Sequence, residues 1–148
     1  MRNNYRLLCL FLALVLLTGC SRKKENAPTF DPDDPLAGIL PDTFAADEVF
    51  NEWETFKCFS VVYEDGDGGM VYFSADPASG TLMLDTEDAT VTQFRLKGYD
   101  AVIVNEGIDI RLIWIDRELE VLFSLITRNI EQEQVLSYAE AFIDSLYS

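Results

Sequence analysis

The sequence of 148 residues has no histidine, three cysteines, and fewer basic than acidic residues. Without histidine, the Ser-His-Asp and Cys-His arrangements of hydrolases cannot be built, and zinc loses a common ligand. Lys and Arg number 11 against 26 Asp and Glu, and the resulting net charge of −15 repels nucleic acid. No set of nucleophile, base and orienting group can be assembled. The sequence therefore predicts a protein that is not an enzyme, binds no nucleic acid and needs no cofactor.

The three cysteines have separate expected roles. Cys9 lies within an N-terminal apolar run, Cys20 follows that run, and Cys58 begins an apolar strand. A thiol in that last setting is predicted to be buried and inert rather than nucleophilic. Because Cys58 is the one cysteine beyond Cys20, an intrachain disulfide in the body of the chain is excluded.

Residues 1–19 have the pattern of a signal peptide. Arg2 and Arg6 precede an apolar run, Leu7 to Leu17, that is too short to span a bilayer. The run closes on Leu17-Thr18-Gly19-Cys20, which resembles the lipobox of bacterial lipoproteins. A plain secretory signal and a short buried helix are the alternatives. The resemblance implies that Cys20 is diacylated, which anchors the protein in membrane lipid at the extracytoplasmic face of the cell membrane.

The composition changes after the lipobox. Residues 20–35 are rich in Lys, Glu, Asn, Asp and Pro and offer little apolar area to bury, which predicts a flexible tether behind the lipidated cysteine. Arg22, Lys23 and Lys24 add an attraction to anionic lipid headgroups. Residues 36–148 have the length of one ordinary domain.

The domain alternates apolar and polar residues over several short stretches separated by turns. In the clearest pair, Ile108 to Trp114 and Leu119 to Leu125 flank the polar turn Asp116-Arg117-Glu118. The second face of this hairpin is also partly apolar, which predicts a central position in the sheet. Other strands are predicted at Phe59–Tyr63, Met70–Ala75, Thr81–Leu84, Gln93–Lys97 and Ala101–Val104.

A C-terminal helix is predicted after these strands. Asn129 and Gln132 have the spacing of a capping box. Beyond them, one helical stripe is apolar and consists of Val135, Leu136, Ala139, Phe142, Ile143 and Leu146. The predicted fold is α+β, an antiparallel β-meander sheet of about six strands with the amphipathic helix packed on one face, so that Trp114 meets Phe142. The segment Phe44–Trp53 fits either a strand or a helix by its periodicity.

Several stretches resemble a family called domain of unknown function 4367. They are Leu112-Ile113-Trp114-Ile115-Asp116, Leu122-Phe123-Ser124-Leu125, Glu133-Gln134-Val135-Leu136 with Ala139-Glu140, and upstream Leu40-Pro41-Asp42-Thr43-Phe44, Val61-Val62-Tyr63 and Leu96-Lys97-Gly98. The chain departs from the family at Thr43, where glycine is usual. The resemblance implies an extracytoplasmic domain of Gram-positive bacteria without catalytic residues, in some members linked to anti-sigma signalling. It also favours an extended Phe44–Trp53.

One acidic loop has residues of the type that bind calcium. Glu64, Asp65 and Asp67 stand among Gly66, Gly68 and Gly69. A full calcium loop needs a bidentate glutamate further on, whereas a strand follows here at once. We therefore expect a hairpin turn and no metal, with these three carboxylates as the candidates if an ion is held.

Three functional interpretations remain open. The first is a membrane-anchored lipoprotein whose non-catalytic domain binds a protein, a peptide or a cell-wall component. The second is a regulatory or sensory module of an envelope signalling system of the anti-sigma type. The third is an extracellular enzyme that uses a pair of carboxylates. The first is the prediction, because the sequence supplies an anchor and a core but no catalytic set.

Overall fold

The computed structural model describes residues 29–79 and 87–146. The strands are β1 (Ala45–Glu52), β2 (Cys58–Glu64), β3 (Met70–Pro77), β4 (Thr90–Leu96), β5 (Tyr99–Glu106), β6 (Asp109–Asp116) and β7 (Val121–Arg128). A one-turn helix, α1 (Trp53–Phe56), follows β1, and the longer helix α2 (Gln132–Ser145) follows β7. The described strands number seven rather than about six. The strand predicted at Thr81–Leu84 lies outside the described residues.

All neighbouring strands are antiparallel, in the order β1-β2-β3-β7-β6-β5-β4. The antiparallel sheet with a C-terminal helix is confirmed. The hairpin formed by β6 and β7 occupies the middle of the sheet, as its two apolar faces predicted. A simple meander is wrong, because β3 pairs with β7 and not with β4. Two consecutive sets of strands, β1 to β3 and β4 to β7, therefore meet side by side.

The join between the two sets is apolar and aromatic. Phe73 of β3 stands opposite Leu125 of β7, and Ala75 opposite Phe123. The rings of Phe73 and Phe123 stack with centroids 6.1 Å apart, and Trp114 of β6 stacks on Phe123 at 5.3 Å. These aromatic rings are fully buried and form the centre of the core.

Helix α2 contributes the residues of its predicted stripe to the core. Phe142 is fully buried, with its ring centroid 4.7 Å from Phe73 and 6.2 Å from Trp114. The capping box is wrong, since Glu131 occupies the N-cap position and no side chain caps the helix. Asn129 has φ +56° and its side-chain amide donates to the Gly68 carbonyl at 2.8 Å, so it links two loops instead.

The described residues before Leu36 already pack against the core of the domain. Phe30 contacts the rings of Trp53 at 5.0 Å and Phe142 at 5.4 Å, and the N–H of Thr29 donates to the Leu146 carbonyl at 3.1 Å. Composition placed residues 29–35 in the tether. One aromatic ring in an otherwise polar stretch is enough to seat them on the core, because that ring buries a large apolar area.

Two further expectations concern local structure. The ambiguous segment Phe44–Trp53 is extended over β1, and α1 begins only at Trp53. Ile108 was expected to start the alternation of β6, but it lies in the turn and is 61% exposed. The last pair of the β5–β6 hairpin is Glu106 opposite Asp109, so that Ile108 and Gly107 form the connection between them.

Candidate functional site

A pocket of about 340 Å³ lies where the β4–β5 turn and the β6–β7 turn come together. Its lining includes Arg95, Lys97, Tyr99, Asp100, Ile115 and Arg117. Register explains the convergence, because Arg95 stands opposite Asp100, and Asp100 stands opposite Ile115 near the end of β6. Strand pairing thus places cationic and anionic side chains from distant parts of the sequence around one opening.

Each of the three cations that line this pocket is paired with a carboxylate. The Asp100 carboxylate accepts hydrogen bonds from the guanidinium groups of Arg117, at 3.1 Å, and Arg95. These two bonds hold the pKa of Asp100 below its usual value. Lys97 forms an ion pair of 2.7 Å with Asp144 of α2, and that hydrogen bond raises the pKa of Lys97. An anionic ligand would have to displace Asp100 or Asp144 from these ion pairs. We therefore interpret the pocket as a cluster of salt bridges at one end of the sheet.

The acidic loop between β2 and β3 is a hairpin connection. Asp65 accepts hydrogen bonds from the N–H groups of Asp67 and Gly69, each at 2.8 Å, through the same carboxylate oxygen. A Cβ atom on Gly69 would overlap this carboxylate, so glycine is needed for the close approach. In residues 29–79 and 87–146, no three acidic or cysteine side chains, Glu64 included, are grouped so as to hold a metal ion.

Cys58 was expected to be buried, and it is only half-buried. Its setting still disfavours a nucleophile. The residue is half-buried at the start of β2. Partial burial raises the pKa of its thiol, and the nearby carboxylates of Glu52 and Asp76 raise it further. Since the thiolate is the reactive form, the thiol is less reactive than an unperturbed one at neutral pH.

The edge strand β1 is the exposed surface that the sequence did not predict. All eight of its residues are exposed, and it pairs only with β2. Asp47, Glu48 and Glu52 give this strand three carboxylates and no basic residue, and we call these three residues the acidic edge. The periodicity of this segment fits either a helix or a strand. Even the strand assignment does not show whether the strand lies at an edge of the sheet. The sequence shows these three charges, but it does not show that they lie at the edge of the sheet.

The predicted lipidation site, Cys20, and the predicted signal peptide around Cys9 lie outside the described residues. In the described parts of the chain, no helix combines the length and apolar character needed to cross a bilayer.

A family comparison accounts for most of the domain. The sequence model of the family described as "Domain of unknown function (DUF4367)" matches residues 37–141. No curated protein and no solved structure matches the chain. The family match begins after the predicted lipobox and runs from the turns before β1 into α2. It therefore includes the whole sheet, the pocket and the acidic edge. On this match, the chain belongs to the family of domain of unknown function 4367.

Proposed function

We propose that the protein is an extracytoplasmic lipoprotein, anchored through Cys20, whose domain is a non-catalytic interaction module. The observation that carries the anchor is Leu17-Thr18-Gly19-Cys20 directly behind a basic segment and a short apolar run. Two acyl chains support stable anchoring, since each buried CH₂ contributes about 0.8 kcal/mol and one chain alone holds a protein only marginally.

The contacts of Thr29 add a geometric limit to this proposal. Thr29 is bonded to Leu146 beside the C-terminal end of α2, so the chain enters the domain at this corner. The path from Cys20 to Thr29 can span at most roughly 30 Å, because an extended chain advances about 3.3–3.6 Å per residue. A lipidated Cys20 would keep the domain close to the bilayer, where partners at the membrane surface are within reach.

The described residues support an interaction role over catalysis. They contain no histidine, their cysteine has a raised pKa, and each cation of the pocket is paired with a carboxylate. What the domain presents instead is an acidic, exposed strand at the edge of a sheet. Such a surface suits a partner bound through charge and backbone pairing.

The anchor is tested by metabolic labelling of the full chain with a palmitate analogue in a Gram-positive host. We expect the unmodified chain and the matched control Cys58→Ala to be labelled and to sediment with membranes. Cys20→Ala should stay an unlabelled precursor, since no other cysteine stands at a cleavage site. If Cys20→Ala still takes up label, the lipoprotein assignment is wrong.

A further inference from the structure

Strand β1 leaves backbone groups unpaired at one edge of the sheet. In the described part of the chain β1 has a single neighbour, β2, and every residue from Ala45 to Glu52 is exposed. An edge strand directs alternate N–H and C=O groups away from its neighbour, where they can pair with another extended segment. The same edge therefore offers a template for one more strand.

The register shows which part of the strand is regular enough to pair. A shift between Ala46 and Glu48 marks a bulge, and from Glu48 to Glu52 the pairing with β2 continues without interruption. A bulge twists the edge locally and interrupts the regular spacing of backbone groups at the bulge itself. The regular part, Glu48 to Glu52, has the length of an ordinary short strand.

The end of this regular part is held in place. The Asn51 side chain accepts a hydrogen bond from the Trp53 N–H at 3.0 Å and donates one to the Asp33 carboxylate at 2.7 Å. Trp53 is buried beside Phe59 in the core. A strand that is already ordered loses little conformational freedom when it pairs, which lowers the cost of binding.

Charge distinguishes between the possible occupants. The acidic edge of Asp47, Glu48 and Glu52 would bring carboxylates together if a second copy paired on β1, and like charges directly opposite are destabilising. A segment rich in Lys or Arg would place cations beside these carboxylates instead. The other edge, β4, has one charged residue, Arg95, which is paired with Asp100. The two edges therefore differ in the partner they favour.

Two apolar side chains lie between the charges of β1. Val49 is 49% exposed and Phe50 is 51% exposed, and as neighbours in a strand they point to opposite faces of the sheet. An added strand with apolar residues at alternate positions could contact one of them on either face. Backbone pairing supplies affinity in this mode of recognition, and side-chain contacts supply selectivity.

We propose that β1 binds an extended cationic segment of a partner protein by strand addition, through the backbone of Glu48 to Glu52 and the charges of the acidic edge. This inference deepens the proposed interaction role and rests on it. It is independent of the anchor, because it concerns the domain alone.

The test uses the full chain purified in detergent and a fluorescent octapeptide of alternating lysine and valine, with binding followed by anisotropy. We expect saturable binding that weakens as salt is raised. A variant with Asp47→Asn, Glu48→Gln and Glu52→Gln should bind about tenfold more weakly, since it loses three exposed ion pairs. The control variant Asp88→Asn, Glu106→Gln and Glu133→Gln makes the same change in net charge at exposed positions away from β1 and should bind like the parent.

A second peptide separates strand addition from simple charge attraction. It has the same sequence with alternate residues N-methylated, which keeps its charge but removes the N–H donors along one edge. We expect binding about tenfold weaker, through loss of the backbone hydrogen bonds. Equal binding of both peptides, equal loss in both triple variants, or no binding of the first peptide would each overturn the proposal. None of these outcomes depends on labelling of Cys20, so failure of the anchor is detected separately.

Discussion

The Tyr63 hydroxyl donates a hydrogen bond of 2.8 Å to the Asp34 carboxylate, and this bond ties strand β2 to the N-terminal turns. The same hydroxyl accepts a bond of 3.2 Å from the N–H of Leu36, which is buried. One side chain of β2 thus satisfies two polar groups of a segment that has no strand or helix of its own. The N-terminal turns are therefore part of the domain.

Replacing Tyr63 by Phe should lower the free energy of unfolding by roughly 1–3 kcal/mol, because the buried Leu36 N–H loses its partner. The change is measured by urea denaturation of the full chain. Tyr72→Phe is the matched control, since Tyr72 is only half-buried on the other face of the sheet, and it should change stability by less than about 0.5 kcal/mol. Equal effects of the two substitutions would contradict a specific role for the Tyr63 hydroxyl.

Tyr63 also predicts a loss of stability in alkali. Burial raises the pKa of Tyr63 above its ordinary value of 10.0, and the bond to Asp34 raises it further. A group whose folded pKa is raised stabilises the protein below the unfolded pKa, and this contribution is lost as the pH rises above it. Unfolding measured from pH 9 to about pH 12 should therefore show falling stability from about pH 10 upward. The fall should be shallower in Tyr63→Phe but not abolished, because burial raises the pKa of Tyr138 as well. If stability falls equally steeply with pH in the parent and in Tyr63→Phe, Tyr63 is not the source of this loss.

Phe142 of α2 should be among the most sensitive core positions. It is fully buried against Phe73, Phe123 and Trp114, so Phe142→Ala should cost about 3–5 kcal/mol through lost contacts and the cavity left behind. A domain of this size has only about 5–15 kcal/mol of stability, so the melting temperature should drop clearly.

The control for this substitution is Phe56→Ala. Phe56 is 59% exposed in α1, and its removal should change stability by less than about 0.5 kcal/mol. An unchanged melting temperature in Phe142→Ala would be incompatible with the packing of α2 described above.

The β2–β3 loop can be tested for calcium directly. Asp65→Asn with Asp67→Asn keeps an oxygen to accept the Asp67 and Gly69 N–H groups, so stability should change by less than about 0.5 kcal/mol. A bound ion would add about 2.7 kcal/mol at a hundredfold excess over its Kd. Melts with calcium, with magnesium and with chelator should show only a small rise, alike for both ions, because either relieves acidic repulsion. A calcium-specific rise that the double variant abolishes would establish a metal site.

The same loop shows how far local sequence determines local structure. Glycines at positive φ and an aspartate that accepts bonds from the following N–H groups are properties of a few adjacent residues. The turn was therefore predictable, and so were the alternation of Phe59, Val61 and Tyr63 and the apolar stripe of α2. Each of these patterns repeats within a few residues, and burial of one face follows from the repeat itself. The lipobox is equally local, and its anchoring role stays a prediction.

The sequence alone determined the kind of each main element except β1, the central hairpin and the absence of a histidine-based site. Only the tertiary structure decided that β3 lies beside β7, that β1 forms an acidic edge, that Phe30 joins the core and that Cys58 is half-buried. The physical reason is that pairing between distant strands depends on how whole apolar faces fit together, and no short repeat encodes that fit. Asn129 illustrates the difference: its spacing to Gln132 suited a helix cap, but the loop of Gly68 lies within reach and takes its side chain instead.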